Sequence, residues 1–141
     1  MKLKNILLTL GVLSSFSSLT YASENAEALY DAKCAACHLK TRPNDPSTVI
    51  APAIMGVMRH VKMEYTNKEE AVKFISDYVL NPQESKAICT PQKLKRFGLM
   101  PSQKGSVTKI ELSIISNWLY DNFPPANFRG MGQRRGMNAQ P

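Results

Sequence analysis

The chain has 141 residues, 43% of them hydrophobic and 21% charged, and a formal net charge of +7. That length and apolar content bound it to one small domain. Its basic residues are scattered along the chain rather than gathered into a stripe, so a nucleic-acid partner is not expected.

The first residues are of a different kind from the rest. Lys2 and Lys4 open the chain with positive charge, Ile6 to Leu13 form a short apolar core, and Thr20-Tyr21-Ala22 ends in a small residue suited to cleavage. Ser14, Ser15, Ser17 and Ser18 break the apolar run, which is too short to cross a bilayer. Residues 1–22 read as a removed export signal, in preference to an uncleaved anchor. There is no cysteine near the cleavage point to carry a lipid. Cleavage leaves sixteen basic against eleven acidic residues, a formal charge of +5, on a domain of residues 23–123 with a basic tail of residues 124–141.

From Glu24 to Lys33 the apolar positions Ala26, Leu29 and Tyr30 recur with helical spacing. This helix delivers Cys34-Ala35-Ala36-Cys37-His38, two thiols three positions apart followed at once by an imidazole. The spacing is that of covalent haem attachment. Cys34 and Cys37 would add across the two vinyl groups of one porphyrin, and His38 would supply a neutral imidazole nitrogen to the iron. A redox dithiol and half of a zinc site are the alternatives. The dithiol reading prefers a strand before the first cysteine, where this chain has a helical run. The zinc reading would need a second cluster, and only Cys89 and His60 remain to build one.

Pro43, Pro46 and Pro52 interrupt the segment from Leu39 to Tyr65, which is expected to be an irregular loop wrapping one haem edge. Its apolar stretch Ala51 to Val57 would pack beside the ring, and a carbonyl near Pro52 would accept the other ring N–H of His38. Asn67 with Glu70 opens a second helix that stops at Asn81-Pro82. Met100, between Leu99 and Pro101, is the soft thioether suited to the sixth iron position. Another methionine, His60, Cys89 or an open site are its alternatives. Met55, Met58 and Met63 read as gap-filling core residues.

Thr108 with Glu111 starts a third helix that runs to about Phe123 before Pro124-Pro125. Its apolar stripe of Ile110, Ile114, Ile115, Trp118 and Leu119 is expected to cross the first helix near Leu29 and Tyr30, with Trp118 as core rather than an electron relay. The last eighteen residues, Pro124 to Pro141, lack core-forming side chains and are expected to be disordered.

These features together resemble a single-haem class I c-type cytochrome. The resemblance rests on Cys34 to His38, the apolar loop through Pro52, Met100-Pro101 and the closing helix with Trp118. It implies a small all-α fold, three main helices and loops around one haem c, with His38 and Met100 as axial ligands. It also implies an electron carrier in the periplasm or an equivalent compartment; the basic excess of the mature chain points to redox partner proteins with acidic docking surfaces, and the short apolar run leaves no membrane span after signal cleavage. A haem-bearing enzyme subunit or gas sensor with an open or exchangeable sixth site is the competing class.

Two residues depart from the pattern. The family often has glycine before the proline that supports the proximal histidine, and here that position is Ala51. Cys89 is an odd third cysteine, read as a buried inert residue with a reactive or intermolecular thiol as its alternative, while His60 reads as a loop residue or propionate contact. If the export reading holds, intact-mass measurement of the protein secreted by its native host will show a chain beginning at Ser23; a mass that retains residues 1–22 would refute it.

Overall fold

A computed structural model of the chain describes residues 17–41 and 43–128, with side chains from Asn25 onward. Residues 1–16 of the expected export signal and 129–141 of the expected tail lie outside the described residues. The described part is helical: α1 (Ser17–Lys33), α2 (Ile54–Glu64), α3 (Lys68–Leu80), α4 (Pro91–Phe97) and α5 (Lys109–Asn122). Two short 3-10 turns, Pro46–Thr48 and Glu84–Lys86, complete the order, and no strand occurs among the described residues. No described helix is long and apolar enough to cross a membrane.

The backbone of α1 begins at Ser17, seven residues before the helical pattern that starts at Glu24. Removal of residues 1–22 would shorten it without reaching its packed part, where Ala26 and Tyr30 are buried. α5 is the hub, in contact with α1, α2 and α3. Its start is set by a complete capping box: Glu111 N–H donates to Thr108 Oγ1, and Thr108 N–H donates to a Glu111 carboxylate oxygen. Accepting the Thr108 N–H holds the Glu111 carboxyl below its usual range. α3 starts on Asn67, whose side-chain oxygen accepts from the Glu69 and Glu70 N–H groups.

The core gathers Ala26 and Tyr30 from α1, Ile54, Met58 and Val61 from α2, Ala71 and Ile75 from α3, and Ile115, Trp118 and Leu119 from α5. Full burial of each large apolar side chain contributes on the order of 1.5–3 kcal/mol before chain entropy is charged against it. The expected crossing of the first and last helices is present, with the Tyr30 and Trp118 rings 5.4 Å apart. Trp118 also meets the Phe123 ring edge-on at 5.3 Å, which makes it a core residue as read.

Several expectations are corrected. The segment from Leu39 to Tyr65 is not irregular throughout, because its second half is α2. All three prolines stand before Ile54, and Ile54, Met58 and Val61 then recur at i, i+4 and i+7, the spacing of one buried helix face. α4 is likewise additional, opened by Thr90 with Pro91 in its first turn and closed by Gly98, so the helices among the described residues number five rather than three. Met58 fills the core as read, while Met63 is 65% exposed on the far side of α2. On α5 the buried face is rotated: Ile110 is 75% exposed and Ile114 is also exposed, while Leu112 and Ser116 are buried. Residues 112, 115, 116 and 119 share one helical face, and Ser116 is tolerated there because its hydroxyl lies 3.5 Å from that of Ser76 on α3.

This rotation makes a direct test. In urea denaturation, Ile115→Ala should cost about 2–5 kcal/mol, whereas Ile110→Ala should stay within about 0.5 kcal/mol of the parent. Equal losses at the two positions would contradict the observed face.

Candidate haem site

The site begins where α1 ends. Tyr30 sits one turn before Cys34, and its carbonyl accepts the N–H groups of Cys34 at 2.8 Å and Ala35 at 3.1 Å. The chain then turns on itself, with Cys37 N–H donating to the Cys34 carbonyl at 3.1 Å and His38 N–H to the same oxygen at 2.9 Å. The five residues of the motif therefore form one compact turn. Cys34 is half-buried against the core and Cys37 is exposed, both as free thiols.

Burial, reinforced by Cys37 and opposed by Lys33, pushes the Cys34 thiol up to about 11. A redox dithiol needs the reverse, a nucleophilic cysteine whose thiolate is favoured. The helix that precedes the motif also departs from the strand-then-helix setting of such centres. Among the described residues no group of three or more His, Cys, Asp or Glu side chains is gathered to hold a metal ion directly, so the zinc alternative lacks its ligand set.

His38 is fixed by its side chain as well as its backbone. Its Nδ1 lies 2.8 Å from the Pro52 carbonyl oxygen. A carbonyl only accepts, so Nδ1 carries the proton and Nε2 is left with a free lone pair. The supporting loop is closed by Ile54 N–H donating to the Leu39 carbonyl at 3.0 Å, which ties the start of α2 to the residue after the histidine. Ala51 precedes Pro52, and the contact from Pro52 to His38 forms beside it. A histidine with one nitrogen held by a backbone carbonyl and the other free, next to two thiols on one turn, fits covalent haem with the imidazole as proximal ligand.

Met100 is half-buried on the segment between α4 and α5. Gly98 ends α4 in the left-handed region at φ 72°, which turns the chain sharply before Leu99 and Met100. After Pro101, Ser102 Oγ donates to the Leu80 carbonyl at 2.6 Å and Gln103 N–H to the Val79 carbonyl at 3.0 Å. The methionine segment is thus anchored to the end of α3, separately from the loop that holds His38. Cys34, Cys37, His38 and Pro52 are brought together; Met100 belongs to this second anchored segment.

His60 lies on α2, where burial and the charges of Lys93 and Arg59 pull its pKa below the ordinary value and favour the neutral ring. It lines an open groove of about 610 Å³ with Met63, Tyr65, Phe74, Lys86 and Ile88. Neither the motif residues nor Met100 line that groove, and nothing in the sequence pattern pointed to it. One wall carries Tyr65 stacked on Phe74 at 4.8 Å, and Phe74 in turn stacks at 5.6 Å on Tyr78, which lies outside the groove. Cys89 is half-buried rather than buried as read. It stands near Tyr78, whose phenol is pushed up by burial and secondarily by Cys89.

No family model matches the chain. No solved structure matches it either. It is similar to an uncharacterized protein of Aquifex aeolicus strain VF5, 28% identical over 108 residues that cover 67% of this chain and 71% of the relative.

The Gly98 turn generates a prediction. A Cβ there would meet no atom within 4 Å, so the penalty for Gly98→Ala is purely conformational. It should destabilise the fold by about 1–3 kcal/mol in urea titration; an unchanged midpoint would mean that the positive-φ turn is not maintained.

Proposed function

We propose that this chain is a periplasmic electron-transfer protein of the class I c-type cytochrome kind, holding one haem c through Cys34 and Cys37 with His38 and Met100 as axial ligands. The observation that carries the reading is the 2.8 Å contact between His38 Nδ1 and the Pro52 carbonyl, made by the histidine of the haem-attachment motif itself. The helical fold, the crossing of α1 and α5, and the placement of Met100 on an anchored segment after a left-handed glycine support it further.

When bound, haem supplies a one-electron Fe(III)/Fe(II) couple. The chain's own residues do the rest. Cys34 and Cys37 would tether the ring through its vinyl groups. Nε2 of His38 would bind the iron, while the Pro52 carbonyl fixes the tautomer and raises the basicity of that nitrogen. The Met100 thioether, soft and uncharged, would be the second protein ligand, favouring the reduced state and excluding exogenous ligands. His38 and Met100 lie on separately anchored segments, an arrangement that would limit their movement between oxidation states and would suit outer-sphere transfer.

The charge distribution supports a docking role for acidic partners. The segment of residues 89–110, which carries Met100, contains Lys93, Lys95, Arg96, Lys104 and Lys109 and no Asp or Glu. Encounters guided by such a one-signed surface are fast, transient and weakened by salt. Attachment of haem to cysteines takes place outside the cytoplasm in bacteria, so an export signal over residues 1–22 is consistent with the same role.

Optical spectra of the purified, exported protein test the reading. The oxidised form should be low spin with a weak sulfur-to-iron band in the near infrared, and Met100→Ala should abolish that band. A high-spin spectrum unchanged by the substitution would sink the Met100 assignment and favour an enzyme subunit or gas sensor. Unmodified cysteines with no haem spectrum would sink the whole proposal.

A further inference from the structure

Tyr30 touches the haem-attachment turn at both of its ends. Its carbonyl accepts from Cys34 N–H at 2.8 Å and Ala35 N–H at 3.1 Å, and its hydroxyl donates to the carbonyl oxygen of His38. The side chain is fully buried, and its ring packs on Trp118 of α5 at 5.4 Å. Burial keeps the phenol protonated, so it remains a donor throughout the range in which the protein folds.

His38 is consequently restrained at three atoms: its N–H by Cys34, its carbonyl oxygen by Tyr30, and its Nδ1 by Pro52. The first two restraints fix where the Cα of the histidine lies, and the third fixes the ring about its side-chain torsions. The Pro52 contact by itself leaves the ring free to swing as its backbone shifts. Anchoring the backbone from the opposite side removes that freedom, because Tyr30 is rooted in the helix crossing and Pro52 in the loop before α2.

We propose that Tyr30 is a positioning residue for His38: its hydroxyl holds the backbone of the motif so that the Pro52 contact sets one orientation of the imidazole plane. The proposal rests on the haem reading above for its spectroscopic consequence, while the clamp on the turn exists with or without that reading.

The test is Tyr30→Phe, which keeps the packed ring and removes only the hydroxyl. Leu119→Ala is the control, since Leu119 is buried on α5 and its loss lowers stability without removing a hydrogen bond to the motif. Two readouts separate the questions. Amide hydrogen exchange across Cys34 to Leu39 should accelerate about tenfold or more in Tyr30→Phe relative to the control, the size expected when a buried carbonyl loses its donor. In the ferric holoprotein, the spread of the haem methyl proton resonances, which reports the azimuth of the histidine plane, should change in Tyr30→Phe and stay at the parent value in the control.

Faster exchange with altered methyl shifts supports the proposal. Lower melting temperature with exchange and methyl shifts like those of the control would overturn it, leaving Tyr30 as packing alone. Faster exchange with unchanged methyl shifts would overturn the orienting role while preserving the clamp. A parent protein with no haem spectrum would overturn the haem reading and the orienting role together, and the exchange result would still decide the clamp.

Discussion

The crossing of α1 and α5 at Tyr30 and Trp118 is the contact on which the rest of the structure depends. The turn from Cys34 to His38 has little rigidity of its own: its backbone N–H groups bond only to the carbonyls of Tyr30 and Cys34. What gives it a defined place is the helix that ends in it, and α1 is held because its buried face is pressed against the central helix of the bundle. The ion pair of Lys33 with Glu111 at 3.6 Å, and the Lys33 ammonium donating to the Ser106 carbonyl at 2.9 Å, lie at the same corner. As exposed contacts they contribute little energy and mainly align the two helix ends.

From that corner the site is assembled from two directions. The loop from Leu39 returns to the histidine through Pro52, and the segment after α4 is drawn onto the end of α3 by Ser102 and Gln103. Each anchor uses backbone carbonyls, which cannot be mutated away and have fixed positions once the helices are packed. For the proposed haem centre, such anchors would favour one ligand geometry in both oxidation states.

The charges divide along the same lines. Lys40 pairs with Glu27 at 2.7 Å and Asp31 at 2.8 Å, Lys68 with Asp121 at 2.7 Å, and Lys86 with Asp77 at 2.6 Å. The acidic residues are thereby placed on the faces of α1, α3 and α5, and the segment around Met100 keeps its cations unneutralised by neighbours in sequence. A local excess of positive charge on the Met100 segment would be felt by a partner over about a Debye length, roughly 8 Å at physiological ionic strength.

The sequence by itself determined what is written in short-range pattern. The motif from Cys34 to His38, the caps at Asn67 and Thr108, and the helix ends at Asn81 and before Pro124 all follow from spacing and from residue chemistry that acts within one or two turns. The partner of His38 was legible too, because a proline fourteen residues on, at the end of an apolar loop, offers a fixed carbonyl. Three things were decided only by the tertiary structure. α2 was hidden behind three prolines, since breaker residues before a helix look the same in sequence as breaker residues inside a loop. The face of α5 was ambiguous because Ile110 and Ile114 satisfy helical spacing as well as Leu112 and Ser116 do, and only the positions of α1 and α3 choose between the two stripes. The hydroxyl of Tyr30 read simply as part of an apolar position, because what it donates to depends on where the chain returns eight residues later. Local pattern specifies which elements form; which of their polar atoms meet is set by how those elements pack.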